Sequence, residues 1–94
     1  MKWKGHILHR IEALKDFGIV KAGDKGGWIE KEENLSQYGD CWVYDMSKVY
    51  DSAKVYDDAI VYGNARVFGN AEVFGNALVC SNAEVFGNAK VCNK

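Results

Sequence analysis

The sequence lacks an excess of charge of either sign. Its 94 residues include 12 lysines and arginines and 13 aspartates and glutamates, which gives a formal net charge of −1. Binding of nucleic acid through bulk electrostatics requires a clustered positive surface. The charge balance therefore argues against a nucleic-acid partner. A chain of this length is expected to form a single domain.

Paired cysteines and long apolar runs are also missing. Cys41, Cys80 and Cys92 form no Cys-x-x-Cys pair and are odd in number, which favours free thiols in a reducing compartment over a disulfide framework. No run approaches the roughly 20 apolar residues that span a bilayer. Residues 1–10 lack the apolar core of a signal peptide. We therefore expect a cytoplasmic protein with no membrane contact.

A six-residue repeat fills the second half of the chain. Valine recurs every six residues from Val43 to Val91, and alanine stands four places after it in seven of the eight full units. A short unbroken period of this kind indicates a stacked solenoid, in which each repeat buries its apolar side against its neighbours.

Each repeat predicts a short strand followed by a corner. In Ala71–Phe74, alternation along the strand places Ala71 and Val73 on one face and Glu72 and Phe74 on the other. The face with the charged residue must point outward, so valine and alanine fill the interior. Gly75-Asn76 supplies the corner, because both residue types tolerate a positive φ.

This pattern resembles the hexapeptide-repeat proteins that form left-handed parallel β-helices. The resemblance covers residues 39–94 and implies that three hexads close one triangular coil. The fold expected is therefore all-β, a short left-handed parallel β-helix of about three coils. The left hand follows from the resemblance alone, since the general rule for parallel crossovers favours the opposite hand.

With three hexads in a coil, residues 18 apart form columns on the outside. Two of the three faces carry charged residues, whereas every outward residue of the remaining face is uncharged. That face holds Trp42, Tyr44, Ile60, Tyr62, Leu78 and Cys80. An apolar patch of this size on a small domain marks an interface. We predict that these six residues bind a partner or a second copy, and the alternative is that the amino-terminal segment covers them.

The amino-terminal segment, residues 1–38, departs from the period and is expected to cap the solenoid of residues 39–94. It predicts a short strand within residues 9–14 and a turn of helix near residues 15–17. Leu35 falls at the position of the small inward residue, and Gln37 falls at the position later taken by valine. The first rung should therefore be imperfect.

Nearly the whole chain is also similar to a group of small uncharacterised proteins from phages and prophages. The similarity lies in the runs ALKDFG from Ala13 and VKAGDKGGWIE from Val20, in NLS from Asn34 and in CWVY from Cys41, ahead of the VYGNA-type repeats. The resemblance implies a phage origin, and hence the cytoplasm of the host cell. It implies no activity.

Catalytic chemistry is not expected from these residues. Many hexapeptide-repeat proteins are acyltransferases that use a histidine and bind acetyl-CoA between subunits. His6 and His9 both lie outside the repeats, and the pattern shows neither a positioned base nor a cleft for an acyl donor. The sequence thus predicts no enzyme and no cofactor. It also predicts no metal site, because the aspartates of the first coil are good turn residues whose corners point apart. These aspartates are Asp40, Asp45, Asp51, Asp57 and Asp58.

The function predicted is that of a non-catalytic protein-binding solenoid. A small phage product without catalytic groups suggests an inhibitor that docks on a host defence protein such as a CRISPR effector. The chain is expected to bind such a host protein, itself as a homodimer or trimer, or both. Two alternatives remain, namely a self-assembling structural component of a virion and a degenerate hexapeptide-repeat acyltransferase.

Overall fold

A corner at every sixth residue shapes the chain. The computed structural model describes residues 1–93, and in it nine residues spaced six apart have φ between 59° and 74°. These corner residues are Gly39, Asp45, Asp51, Asp57, Gly63, Gly69, Gly75, Ser81 and Gly87. Glycine reaches this left-handed region without strain, and aspartate tolerates it. The corners leave room for only short strands between them.

The described residues contain thirteen strands and one short 3-10 helix at Glu32–Asn34. The first four strands belong to the irregular start of the chain, and they are β1 (Lys2–Trp3), β2 (His6–Ile7), β3 (His9–Glu12) and β4 (Lys25–Ile29). The remaining strands follow the hexads, and they are β5 (Trp42–Val43), β6 (Lys48–Val49), β7 (Lys54–Val55), β8 (Ile60–Val61), β9 (Arg66–Val67), β10 (Glu72–Gly75), β11 (Leu78–Val79), β12 (Glu84–Val85) and β13 (Lys90–Asn93).

Three parallel sheets form the sides of the solenoid. The first sheet is β5-β8-β11, the second includes β4-β6-β9-β12, and the third is β7-β10-β13. Valines three hexads apart are direct neighbours, as in Val43, Val61 and Val79. The predicted all-β parallel β-helix and its columns of three-hexad spacing are therefore confirmed. The second sheet has four parallel rungs, one more than the repeat count predicted.

The additional turn comes from the amino-terminal part of the chain. Ile29 pairs with Val49, and Leu35 forms a bridge with Val55. In each of these two pairs, the partners are separated along the sequence by two residues more than the three hexads that separate partners in later turns. Leu35 thus occupies the inward valine position that the sequence assigned to Gln37. That assignment was wrong because the two extra positions lie between Leu35 and Val43 and break the period.

Valine and alanine fill the interior, as predicted. The six valines from Val43 to Val73 are fully buried, and so are the alanines from Ala53 to Ala71. Each buried valine contributes roughly 1.5 kcal/mol through loss of apolar surface from water. This narrow core holds the corners in place and so fixes which side chains face outward.

The start of the chain folds against the second sheet. Strands β1 and β2 form an antiparallel hairpin, and β3 pairs antiparallel with β4 at the edge of the second sheet. The predicted strand within residues 9–14 is present as β3. The predicted turn of helix near residues 15–17 is absent, since Phe17 and Val20 form an antiparallel bridge there. Nowhere between residues 1 and 93 does a helix have the length and apolarity to cross a membrane.

Candidate functional site

The predicted interface residues lie together on the first sheet. Trp42, Ile60 and Leu78 are direct neighbours in register. The other three, Tyr44, Tyr62 and Cys80, follow two positions later on the same rungs. The Cys80 thiol, one turn later in the column, raises the pKa of Tyr62. The column is present, and its binding role stays a prediction.

The two ends of this column differ in exposure. Trp42 is only 6% exposed, because Phe17 packs edge-on against it with ring centroids 5.2 Å apart. Leu78 at the other end is 61% exposed. The amino-terminal segment therefore covers the first rung of the column, as the alternative interpretation expected, and leaves the last rung open.

A cluster of three ionisable side chains forms at a corner between the second and third sheets, and the repeat pattern did not indicate it. Glu30 follows β4 directly, Asp51 is a corner residue, and His6 belongs to the hairpin. Nδ1 of His6 lies 2.9 Å from Oε2 of Glu30, and Nε2 lies 3.5 Å from Oδ1 of Asp51. The imidazole thus stands between two carboxylates.

The hairpin brings His6 to this corner. The turn between β1 and β2 uses a positive φ at Lys4 and Gly5. The chain then returns to the solenoid at Leu8, which is buried and exchanges backbone hydrogen bonds with Met1. The ring of His6 rests on Tyr50, with centroids 4.7 Å apart.

Glu30 is clamped at both of its oxygens. Oε2 contacts His6, and Oε1 accepts a hydrogen bond of 2.8 Å from the backbone N–H of Asp51. The hydrogen bond from His6 lowers the pKa of Glu30, the Asp51 N–H adds to this effect, and burial opposes it. In a neutral imidazole, an ionised Glu30 favours the proton on Nδ1, which leaves the lone pair on Nε2. A histidine that is oriented by a carboxylate in this way has the arrangement of a general base.

The same three residues have ligand atoms within 4.8 Å of one another, close enough to suggest a metal site. Nδ1 of the imidazole faces Glu30 and Nε2 faces Asp51, so each ring nitrogen has a carboxylate partner. This pairing is compatible with proton transfer.

The corner aspartates tie one coil to the next. The carboxylates of Asp45, Asp51 and Asp57 accept hydrogen bonds of 3.0–3.1 Å from backbone N–H groups one turn later. The donors are Gly63, Gly69 and Gly75. These contacts account for the aspartates as turn residues, as the sequence suggested. Asp51 has a second role through its other oxygen, which faces His6.

A cavity of about 640 Å³ lies between the cap and the first turn of the solenoid. Its walls include Ile11, Phe17, Leu35 and Trp42, and it shares no residue with the His6 cluster. Cys41 also lines it, where burial raises the pKa of the thiol to about 11. The thiol is therefore protonated at neutral pH and a poor nucleophile.

Similarity to known proteins indicates a class of reaction. No family model matches the chain. A 46-residue stretch is 46% identical to YdcK of Escherichia coli (strain K12), which is described as an uncharacterized acetyltransferase. The match covers 49% of this chain and spans only 14% of the length of that relative. It supports the hexapeptide-repeat resemblance, and it contradicts the prediction that the chain is not an enzyme. That prediction failed because it required a catalytic histidine within or between the repeats.

Proposed function

We propose that this protein catalyses acyl transfer, with His6 as the general base. The observation that carries the proposal is the contact of 2.9 Å between Glu30 and Nδ1 of His6, which leaves Nε2 as the ring nitrogen that can accept a proton. The similarity to a relative described as an acetyltransferase supplies the reaction class. An acyl thioester of the acetyl-CoA type is the proposed donor, and a hydroxyl or amine is the proposed acceptor.

The proposed reaction follows from the positions of the two carboxylates. The acceptor approaches Nε2 of His6 from beside Asp51, and Nε2 removes its proton as the acceptor attacks the acyl carbon. Glu30 and Asp51 then flank the imidazolium and stabilise it. The carbon–sulfur bond breaks, and His6 returns the proton to the departing thiolate. General-base catalysis of this kind is worth about 10²–10⁴-fold in rate.

Release of free thiol from acetyl-CoA in the presence of small alcohols, sugars and amines tests the proposal. We expect His6→Ala to reduce turnover at least about 100-fold and Glu30→Gln to reduce it less. His9→Ala is the matched control, since His9 is exposed and belongs to the same segment. Turnover that is unchanged in His6→Ala, or no acetyl-CoA turnover by the wild type with any acceptor, would contradict the proposal.

A second proposed activity is protein docking through the open end of the first-sheet column. Tyr62 and Leu78 are both exposed large side chains, and Cys80 lies beside them. The predicted inhibition of a host defence protein would use this surface. Such docking is compatible with acyl transfer, because the His6 cluster lies on a different side of the solenoid.

Recovery of a protein partner by immobilised variants tests this docking. A Tyr62→Glu/Leu78→Glu variant should lose a partner that the wild type retains. Trp42 is unsuitable for the test because it is buried, so a charge there would disturb the fold. Lys54→Glu on the third sheet is the control and should retain the partner. Equal recovery by the wild type and the double variant would refute the docking surface.

A further inference from the structure

A buried amide lies next to the His6 cluster. Asn34 ends the 3-10 helix Glu32–Asn34 and is fully buried. Burial of an amide is unfavourable unless its donors and acceptors find hydrogen-bond partners. An asparagine side chain can donate two hydrogen bonds and accept two, and in Asn34 all four are formed with backbone groups. The position of this side chain is therefore fully determined by its surroundings.

The Asn34 amide joins the end of β4 to the corner one coil later. Its Oδ1 accepts hydrogen bonds of 3.0 and 2.8 Å from the backbone N–H groups of Glu30 and Lys31. Its Nδ2 donates to the backbone oxygens of Asp51 and Ala53, over 3.2 and 2.9 Å. The reverse orientation of the amide would set N–H groups against N–H groups and oxygen against oxygen. The two backbone segments are thus held at a fixed separation.

The segments that Asn34 joins carry both carboxylates of the His6 cluster. The backbone of Asp51 is fixed at two points, because its N–H donates to Oε1 of Glu30 and its carbonyl accepts from Asn34. Its Oδ2 accepts a hydrogen bond from the N–H of Gly69. The 3.5 Å separation between Oδ1 of Asp51 and Nε2 of His6 is therefore set largely by backbone contacts.

We propose that Asn34 is a positioning residue for His6 and acts through Glu30 and Asp51. The contact at Nδ1 of His6 measures 2.9 Å and the contact at Nε2 measures 3.5 Å. The shorter contact favours the tautomer with the proton on Nδ1. A shift of Asp51 towards Nε2 would let the second carboxylate compete for that proton. Asn34 keeps the two contacts unequal, and this role presupposes the acyl transfer proposed above, in which Nε2 removes the proton of the acceptor.

Ser47 is the other buried polar residue that the structure shows between residues 1 and 93. It also ties neighbouring coils together, since its hydroxyl donates a hydrogen bond of 3.2 Å to the backbone oxygen of Gly63. It occupies the place in its hexad where the other full repeats have alanine. Its bond involves no residue of the His6 cluster. Ser47 therefore shares the structural role of Asn34 without the link to the imidazole.

Nitrogen-15 NMR of the His6 ring tests the positioning role without any substrate. At alkaline pH, where an imidazole is neutral, the wild type should show a protonated Nδ1 and an unprotonated Nε2. Asn34→Asp keeps an acceptor for the N–H of Glu30 and loses the donor to Asp51, so it should shift His6 towards a mixture of both tautomers. Asn34→Ala loses both links and should shift the tautomer at least as far.

Two variants control for the loss of a buried polar group and for the loss of stability. Ser47→Ala removes a buried hydroxyl, and Val73→Ala removes buried volume from the third sheet. Both should retain the wild-type tautomer of His6. A tautomer that is unchanged in both Asn34 variants, or one that shifts equally in the controls, would overturn the proposal. Failure of both Asn34 variants to fold, judged by circular dichroism, would assign Asn34 to folding alone and would overturn it as well.

Turnover separates this proposal from the proposed function. With acetyl-CoA and an acceptor, Asn34→Asp should lower kcat by roughly 10-fold to 100-fold. KM should stay nearly unchanged, because Asn34 is buried and has no contact with the substrates. A tautomer shift in the variant with no turnover by the wild type would support the positioning role and contradict acyl transfer. Lower turnover with an unchanged tautomer would contradict the positioning role alone.

Discussion

At the scale of single residues, the left-handed corners govern which substitutions the protein tolerates. Each corner residue has a positive φ, and backbone of the next coil lies against four of the five corner glycines. The six-residue period made these corners predictable, because Gly-Asn recurs where the strand must turn. The carboxylate bonds from aspartates to the next coil were not predictable, since they depend on the side-chain rotamer rather than on the pattern.

A pair of glycine substitutions separates backbone strain from crowding. Gly69→Ala should lower the free energy of unfolding by about 2–3 kcal/mol, because it combines a positive φ with a clash against Gly87. Gly87→Ala has a similar φ but open space around it, so its cost should be nearer to about 1 kcal/mol. Urea denaturation measures both, and equal losses would show that crowding plays no part.

Glu30 should make stability depend on pH. Its pKa is lowered in the folded state from an ordinary value of about 4.5, so its contribution is complete above that value. The contribution is lost as the pH falls through the lowered pKa. Thermal melts between pH 7 and pH 3 should show a smaller acid-induced loss in Glu30→Gln than in the wild type. Identical pH profiles would mean that the contact with His6 is not formed in solution.

At the scale of elements, stacked aromatic side chains line the corner after the second sheet. The rings of Tyr50, Phe68 and Phe86 stack with centroids 5.1 and 5.4 Å apart, and His6 covers the top of the stack. The regular repeat is sufficient to place these rings in register. The stack therefore links the hairpin that carries the candidate base to every later turn on this side.

The position of a ring within the stack should determine how much it contributes to the free energy of unfolding. Phe68→Ala removes two stacking contacts and should cost about 2 kcal/mol or more, whereas Phe86→Ala removes one and should cost about 1 kcal/mol. Because Phe86 is exposed and Phe68 is half-buried, part of the difference reflects burial. Chemical denaturation of the two variants gives the comparison, and an equal cost would argue against the stack.

The strands and their contacts also show how much of the structure could be predicted from the sequence. Columns such as Trp42, Ile60 and Leu78 could be predicted because the period is an intrinsic property of the repeat. The packing of Phe17 over Trp42 could not be predicted, because residues 1–38 have no period from which to assign neighbours. His6 was missed for the same reason, since it lies far from Glu30 along the chain and only the Gly5 turn hinted at a hairpin.

At the scale of the whole molecule, stability should grow with the number of turns. In repeat proteins each added unit contributes its own stability and one new interface. Tandem duplication of residues 61–78 adds one full turn in register and should raise the melting temperature. Duplication of residues 61–69 shifts the valines out of phase and should prevent cooperative folding. Scanning calorimetry distinguishes the two, and similar melting of both would contradict a stacked core.

The constant offset of three hexads between neighbouring turns from β5 onward also has a consequence for the gene. Recombination between near-identical repeats changes a coding sequence in whole hexads, and only changes of three hexads at a time preserve the partners of every outward side chain. Gain or loss of one hexad would rotate everything downstream by a third of a revolution, carrying Leu78 to a different side from Trp42. Selection for a working surface should therefore leave inherited length variants that differ by complete revolutions.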